Sequence, residues 1–151
     1  MMPENFANLV GMWDGSKKLI LSPEDPVREC EAVACIGLEA NGKFLKVNYE
    51  WSFDGKKQEG LALFHVGKEQ QAKSVWIDSF HQGGDFLVSD GNLTDNTAST
   101  KAHYTQPEYS DWAWRINLEA IDENSFAVVM FNIFPDGTEV LAVEAKFKRR
   151  V

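Results

Sequence analysis

The chain has 151 residues, 44% hydrophobic and 12% aromatic, enough to bury a core without disulfides or metals and too apolar for disorder. Its formal net charge of -8 disfavours a broad nucleic-acid footprint, which needs a basic face. No stretch has the apolar length of a bilayer-spanning helix, and Met1-Met2-Pro3-Glu4-Asn5 lacks a basic segment followed by an apolar one, so a cytoplasmic protein is expected.

Pro3 to Leu9 reads as one or two helical turns, with Phe6, Leu9 and Val10 at helical spacing, plugging one end of a strand assembly. Short strand-like segments then run to the C-terminus. They are expected at about 12–21, 27–36, 43–53, 58–66, 72–80, 85–93, 98–105, 111–121, 125–134 and 138–148. The pairs Asn41-Gly42, Asp54-Gly55, Asp90-Gly91 and Asp136-Gly137 read as tight hairpin turns, and Gly83-Gly84 as another. Turns this close together favour an up-and-down meander. The expected fold is therefore all-β: an antiparallel barrel of about ten strands with a short N-terminal helical plug, forming a single domain over 1–151.

Cys30 and Cys35 share the second strand. Residues five apart on a strand point to opposite faces, roughly 17 Å apart at about 3.4 Å per residue, which forbids both a mutual disulfide and a two-cysteine metal site. Alternation assigns faces in the third strand: Leu45, Val47, Tyr49, Trp51 and Phe53 oppose Lys46, Asn48, Glu50 and Ser52. In the eighth, Trp112, Trp114, Ile116 and Leu118 oppose Arg115, Asn117 and Glu119; in the tenth, Leu141, Val143, Ala145 and Phe147 oppose Glu144, Lys146 and Lys148. The ninth is apolar on both sides, which calls for a second buried surface from the plug or from a homodimer partner.

Gly11-x-Trp13-x-Gly15, Gly42-Lys43-Phe44-Leu45, Gly60 and Trp76-Ile77-Asp78-Ser79, in that order, resemble a family of uncharacterised, mostly bacterial, calycin-like proteins. The superfamily includes lipocalins, fatty-acid-binding proteins and nitrobindin-like haem barrels. The resemblance covers about the first 90 residues and implies a barrel without a settled activity. It also implies that Trp13 closes the barrel floor, with Arg149 or Arg150 packed on its ring as in lipocalin-like barrels.

A closed barrel of this size is a container, and its aromatics suit an apolar pocket. The expected function is non-enzymatic binding of a small, largely hydrophobic ligand. Tyr49, Trp51, Phe53, Trp76, Trp112 and Trp114 would line the cavity, and Asp78 would orient a polar end. The plainer reading is that the aromatics fill the core and Asp78 takes turn hydrogen bonds near its strand end. The alternatives are a packed barrel serving as an interaction module, or an enzyme using Asp78 with His65 or His81, two histidines expected at one rim. Ser79, His81, Asp78 and Asp85 spell a triad only in letters, with no nucleophile elbow. A nitrobindin-type haem barrel carries its axial histidine near the C-terminus, where this chain has none after His103. No metal or cofactor is expected, since no His-x-His or similar spacing occurs. The basic cluster Lys146-Lys148-Arg149-Arg150 is too small for a membrane anchor. Arg115 would become an internal anion anchor only if the eighth strand were flipped.

Overall fold

The computed structural model describes residues 2–81 and 83–151. A short helix α1 (Glu4–Ala7) precedes ten strands: β1 (Gly11–Leu19), β2 (Arg28–Glu39), β3 (Phe44–Phe53), β4 (Lys56–Val66), β5 (Gln71–Asp78), β6 (Leu87–Thr94), β7 (Thr97–His103), β8 (Ala113–Asp122), β9 (Ser125–Ile133) and β10 (Glu139–Arg149). Each strand pairs antiparallel with the next, and β1 also pairs with β10, from Trp13↔Arg149 to Leu19↔Val143. The result is a closed up-and-down barrel.

Closure removes sheet edges and gives every strand an inner and an outer face. Alternation then sorts the residues. Leu45, Val47 and Trp51 of β3, Ala72, Ser74, Trp76 and Asp78 of β5, and Trp114, Ile116, Leu118 and Ala120 of β8 are buried, while Asn48, Glu50, Lys73 and Ile77 are exposed. Cys30 is half-buried and Cys35 exposed, as opposite faces of β2 require.

One end of the barrel is floored. Phe6 and Leu9 are buried beneath α1, and the Trp13 indole donates to the Leu9 carbonyl at 2.9 Å. Trp13 meets Phe126 edge-on at 4.8 Å, and Phe126 stacks on Phe147 at 4.6 Å. The Arg149 guanidinium lies 4.4 Å from the Trp13 ring and donates to the carbonyls of Asn8, Val10 and Glu123. Arg149 is thus the basic residue on the floor tryptophan. Arg150 pairs with Asp14 on the outside. The other end is the mouth, bordered by the segments 20–27, 54–55, 79–81, 83–86, 104–112 and 134–138.

Three expectations are corrected. Asp90-Gly91 lies inside β6, facing Lys101 and Thr100 of β7; the turn falls at Asp95-Asn96. A bulge between Leu141 and Val143 sets Leu141 opposite Phe131, on the outer face, and keeps Val143, Ala145 and Phe147 inside. On β9 the outward Ala127 and Val129 are buried within the chain itself. They are flanked by Glu119 and Lys146, and by Asn117 and Glu144, whose longer side chains shelter them.

Candidate functional site

Tyr49 of β3, Gly60 of β4 and Asp78 of β5 are register partners in one row across three strands. A Cβ at position 60 would lie 2.1 Å from the Tyr49 hydroxyl, so the missing side chain is what lets the phenol cross β4. Tyr49 donates to Asp78 Oδ2 and accepts from Trp76 Nε1 at 2.8 Å. Asp78 Oδ1 accepts from the backbone N–H groups of Phe80 and His81, at 2.7 and 2.9 Å, and lies 3.1 Å from His81 Nδ1. Burial alone would raise the Asp78 pKa, but the hydrogen bond and attraction of His81, then Tyr49, bring it down to about 2. Burial, with the charge and hydrogen bond of Asp78, pushes the Tyr49 hydroxyl well above the usual phenol range, so it remains a donor.

Asp78 therefore closes a turn at the end of β5, and that turn fills the middle of the mouth. Phe80 packs on Trp51 and Phe53, with ring centroids 5.2 and 4.8 Å away. The His81 ring sits among Trp51, Trp76 and Trp114 at 6.2, 5.5 and 5.6 Å. Trp76 and Trp114 lie parallel, 5.6 Å apart.

Space is left on either side of Phe80 and His81. One recess of about 300 Å³ is lined by His81, Trp112, Trp114, Asn132 and Phe134 with the segment 20–23. A second, of about 250 Å³, is lined by Leu19, Cys30, Trp51 and Phe53 on its inner side and by the polar Arg28, Glu29, Ser52 and Asp54. Deeper in the barrel a pocket of only about 20 Å³ lies between Lys17, Tyr49, Trp51, Met130 and Phe147. A further hollow, about 760 Å³, is an open groove on the outer wall, bordered by Cys35, Glu50, Leu61, Ile77 and Phe86; its size does not make it part of the interior. The seven expected site residues are thus gathered at the mouth half of the barrel but do not ring one cavity. Trp112 and Trp114 border one recess and Trp51 and Phe53 the other, while Trp76, Tyr49 and Asp78 form the hydrogen-bonded wall between them.

His65 and His81 do not share a rim. β4 and β5 run in opposite directions, so His65 ends its strand at the floor, on the outer wall against Phe44, while His81 follows β5 at the mouth. Arg115 faces outward, donating to Glu139 at 2.7 and 3.2 Å and to Ser99 at 3.0 Å. The internal cation is Lys17, which sequence reasoning passed over. It is 4% exposed, with Nζ 3.4 Å from the Trp51 ring centroid and 5.7 Å from that of Tyr49. Burial lowers its pKa to about 8, against the opposing pull of Asp78 and Cys30. The signal was present: Trp13, Gly15, Lys17 and Leu19 share one face of β1. Among the described residues no group of three or more His, Cys, Asp or Glu is placed to hold a metal.

Residues 3–149 match a family described as "Protein of unknown function (DUF1579)", and the chain belongs to that family. Its fold is similar to the crystal structure of Rv2717c from M. tuberculosis, with a TM-score of 0.71, 13% identity and 100% of both chains covered. It is also similar to a redesigned β-barrel, b11L5F_LGL, with a TM-score of 0.50, 10% identity and 99% and 98% of the two chains covered. At such identities the likeness is one of fold alone. No curated protein matches the chain.

Proposed function

We propose that this family member is a non-enzymatic, calycin-type binding barrel that takes a small, largely apolar ligand into the recesses of its mouth, in the cytoplasm. One observation carries the reading. The indole N–H groups of Trp51 and Trp114, one bordering each recess, are buried with no hydrogen-bond partner among the described residues. Buried tryptophan N–H groups normally find an acceptor. A ligand with an oxygen near an apolar body would supply one, gaining about 25 cal/mol for each Å² of apolar surface it buries. An aqueous setting is supported by the charged outer wall, with Lys18, Glu50, Lys73 and Glu144 facing out where a membrane barrel carries an apolar girdle. Among the described residues no helix is long and apolar enough to cross a membrane.

Titration with fatty acids, retinoids and haem, followed by tryptophan emission, tests the reading. Saturable quenching or a spectral shift with at least one of them is expected, weakened in Trp51→Phe or Trp114→Phe. No response to any would overturn it and leave a packed barrel serving as an interaction module. A second reading is favoured by the contact of Asp78 with His81, a titratable pair beside the larger recess. There Asp78 would orient His81 as an acid or base toward a bound molecule. Turnover of a bound compound that ceases in His81→Gln, with binding retained, would establish that reading.

A further inference from the structure

Two charged side chains are buried inside the barrel among the described residues, Lys17 and Asp78, and their circumstances are opposite. Asp78 has its acceptor sites occupied by Tyr49, Phe80 and His81. Lys17 makes no hydrogen bond or ion pair with any described residue; its ammonium rests on the face of Trp51. A ring face replaces only part of the hydration such a group loses. The pocket beside it is otherwise walled by Trp51, by apolar side chains such as Val47, Met130 and Phe147, and by Tyr49, whose hydroxyl is already engaged by Asp78 and Trp76, and it has room for one small polar group. The indole on which it rests also carries a buried donor with no partner among the described residues, Trp51 Nε1. Trp51 also borders the 250 Å³ recess above, so the pocket and the recess share a wall.

We propose that Lys17 anchors the anionic end of the ligand: the site takes a small amphipathic carboxylate, its head on Lys17 beside the Trp51 N–H and its apolar body in the recess of Leu19, Cys30, Trp51 and Phe53. This rests on the binding function proposed above and specifies its ligand class. A carboxylate supplies acceptors for Lys17 and the Trp51 N–H, and it adds a contacting counter-charge to the attraction that Lys17 already feels from Asp78. An amine would meet a like charge, and an alcohol would supply an acceptor without the charge.

Octanoate, octanol and octylamine, titrated at pH 7 into the full chain, separate these cases. Octanoate is expected to bind roughly ten- to a hundredfold tighter than octanol, with octylamine weakest. In Lys17→Met the preference for octanoate over octanol disappears. A readout on the unaltered protein guards against a misfolded variant: octanoate, and not octanol, raises the Lys17 pKa from about 8 as followed by NMR of its side chain. Equal affinities for octanoate and octanol, a preference surviving in Lys17→Met, or a Lys17 pKa untouched by octanoate would each overturn the anion site while leaving a neutral-ligand barrel intact. Failure of all three octyl probes to bind would overturn the anion site, and the binding barrel itself would then stand only if a retinoid, haem or a longer fatty acid still changed the tryptophan emission.

Discussion

A methyl group at position 60 has nowhere to go. Its Cβ would lie 2.1 Å from the Tyr49 hydroxyl and 2.3 Å from the ring carbon that bears it, so Gly60→Ala must push the phenol off Asp78. Overpacking of this kind costs about 1–3 kcal/mol, and the lost hydrogen bond to a carboxylate adds to it. In a Tyr49→Ala background the same methyl should cost little, which a double-mutant cycle by urea unfolding would read directly. Equal costs in both backgrounds would show that Tyr49 is not what the methyl meets. The residues of this row were partly legible in the sequence. Alternation with Lys46, Asn48 and Glu50 places Tyr49, Trp51 and Phe53 inside, and Trp76 carries Asp78 with it. The turn hydrogen bonds of Asp78 and its neighbour His81 were legible from its place at a strand end; its hold on Tyr49, two strands away, was not, because it depends on the gap that Gly60 leaves in the strand between them. Lys17 escaped for another reason. A lysine in a strand ordinarily marks the wet face, and the adjacent Lys18, which does face outward, hides the alternation.

At the scale of elements, the floor is where the chain's two ends are joined. Arg149 of β10 covers Trp13 of β1 and draws in the carbonyls of Asn8 and Val10 behind α1. Deleting residues 2–9 removes Met2, Phe6 and Leu9 from the core, uncovers Trp13 and takes away its acceptor. Three buried side chains of this size contribute about 5–9 kcal/mol. Urea unfolding should show a loss of that order, with Trp13 emission shifted to the red, and Trp13→Ala in the full chain should lose about 3–5 kcal/mol. Unchanged midpoints would mean that the helix is an ornament on a barrel closed without it. All ten strands begin and end within three residues of where apolar alternation and turn residues put them. Asp54-Gly55 makes a two-residue hairpin with φ of +50° and +78°, the conformation that such pairs favour. Asp90-Gly91 misleads because its glycine answers to a different demand. A Cβ there would strike the Ser99 carbonyl oxygen of β7 at 1.8 Å, so the residue marks a close approach of two strands. The bulge at Leu141–Val143 leaves no mark in the sequence, since Leu141, Ala142 and Val143 are all apolar.

For the whole molecule, strand count set an expectation of a hollow, and side-chain volume decided otherwise. Trp13, Trp51, Trp76, Trp114, Phe64, Phe126 and Phe147 fill the tube, leaving about 20 Å³ beside Lys17, so the usable space is displaced to the mouth. Within this dry interior two charges tie stability to pH at opposite ends of the scale. The folded pKa of Asp78 is lowered from 3.8 to about 2, so its contribution, about 2 kcal/mol, is present above pH 4 and is lost as pH falls through 2. Lys17 works against the fold. Its folded pKa is lowered from 10.5 to about 8, so at pH 7 both states are protonated and the native one carries the cost of a desolvated ammonium. As pH rises from 8 to 10.5 the native state sheds that proton before the unfolded state does, and stability grows by about 3 kcal/mol. Lys17→Met keeps the volume and removes the charge. The variant is therefore expected to be more stable than the natural chain at pH 7, with its advantage shrinking steadily toward pH 10.5. Urea unfolding of both proteins at intervals from pH 7 to 10.5 measures this, and tyrosines and other lysines common to both cancel in the difference. A difference that stays flat across that range would mean that the Lys17 ammonium is hydrated, and that the barrel is wetter at its centre than its packing implies.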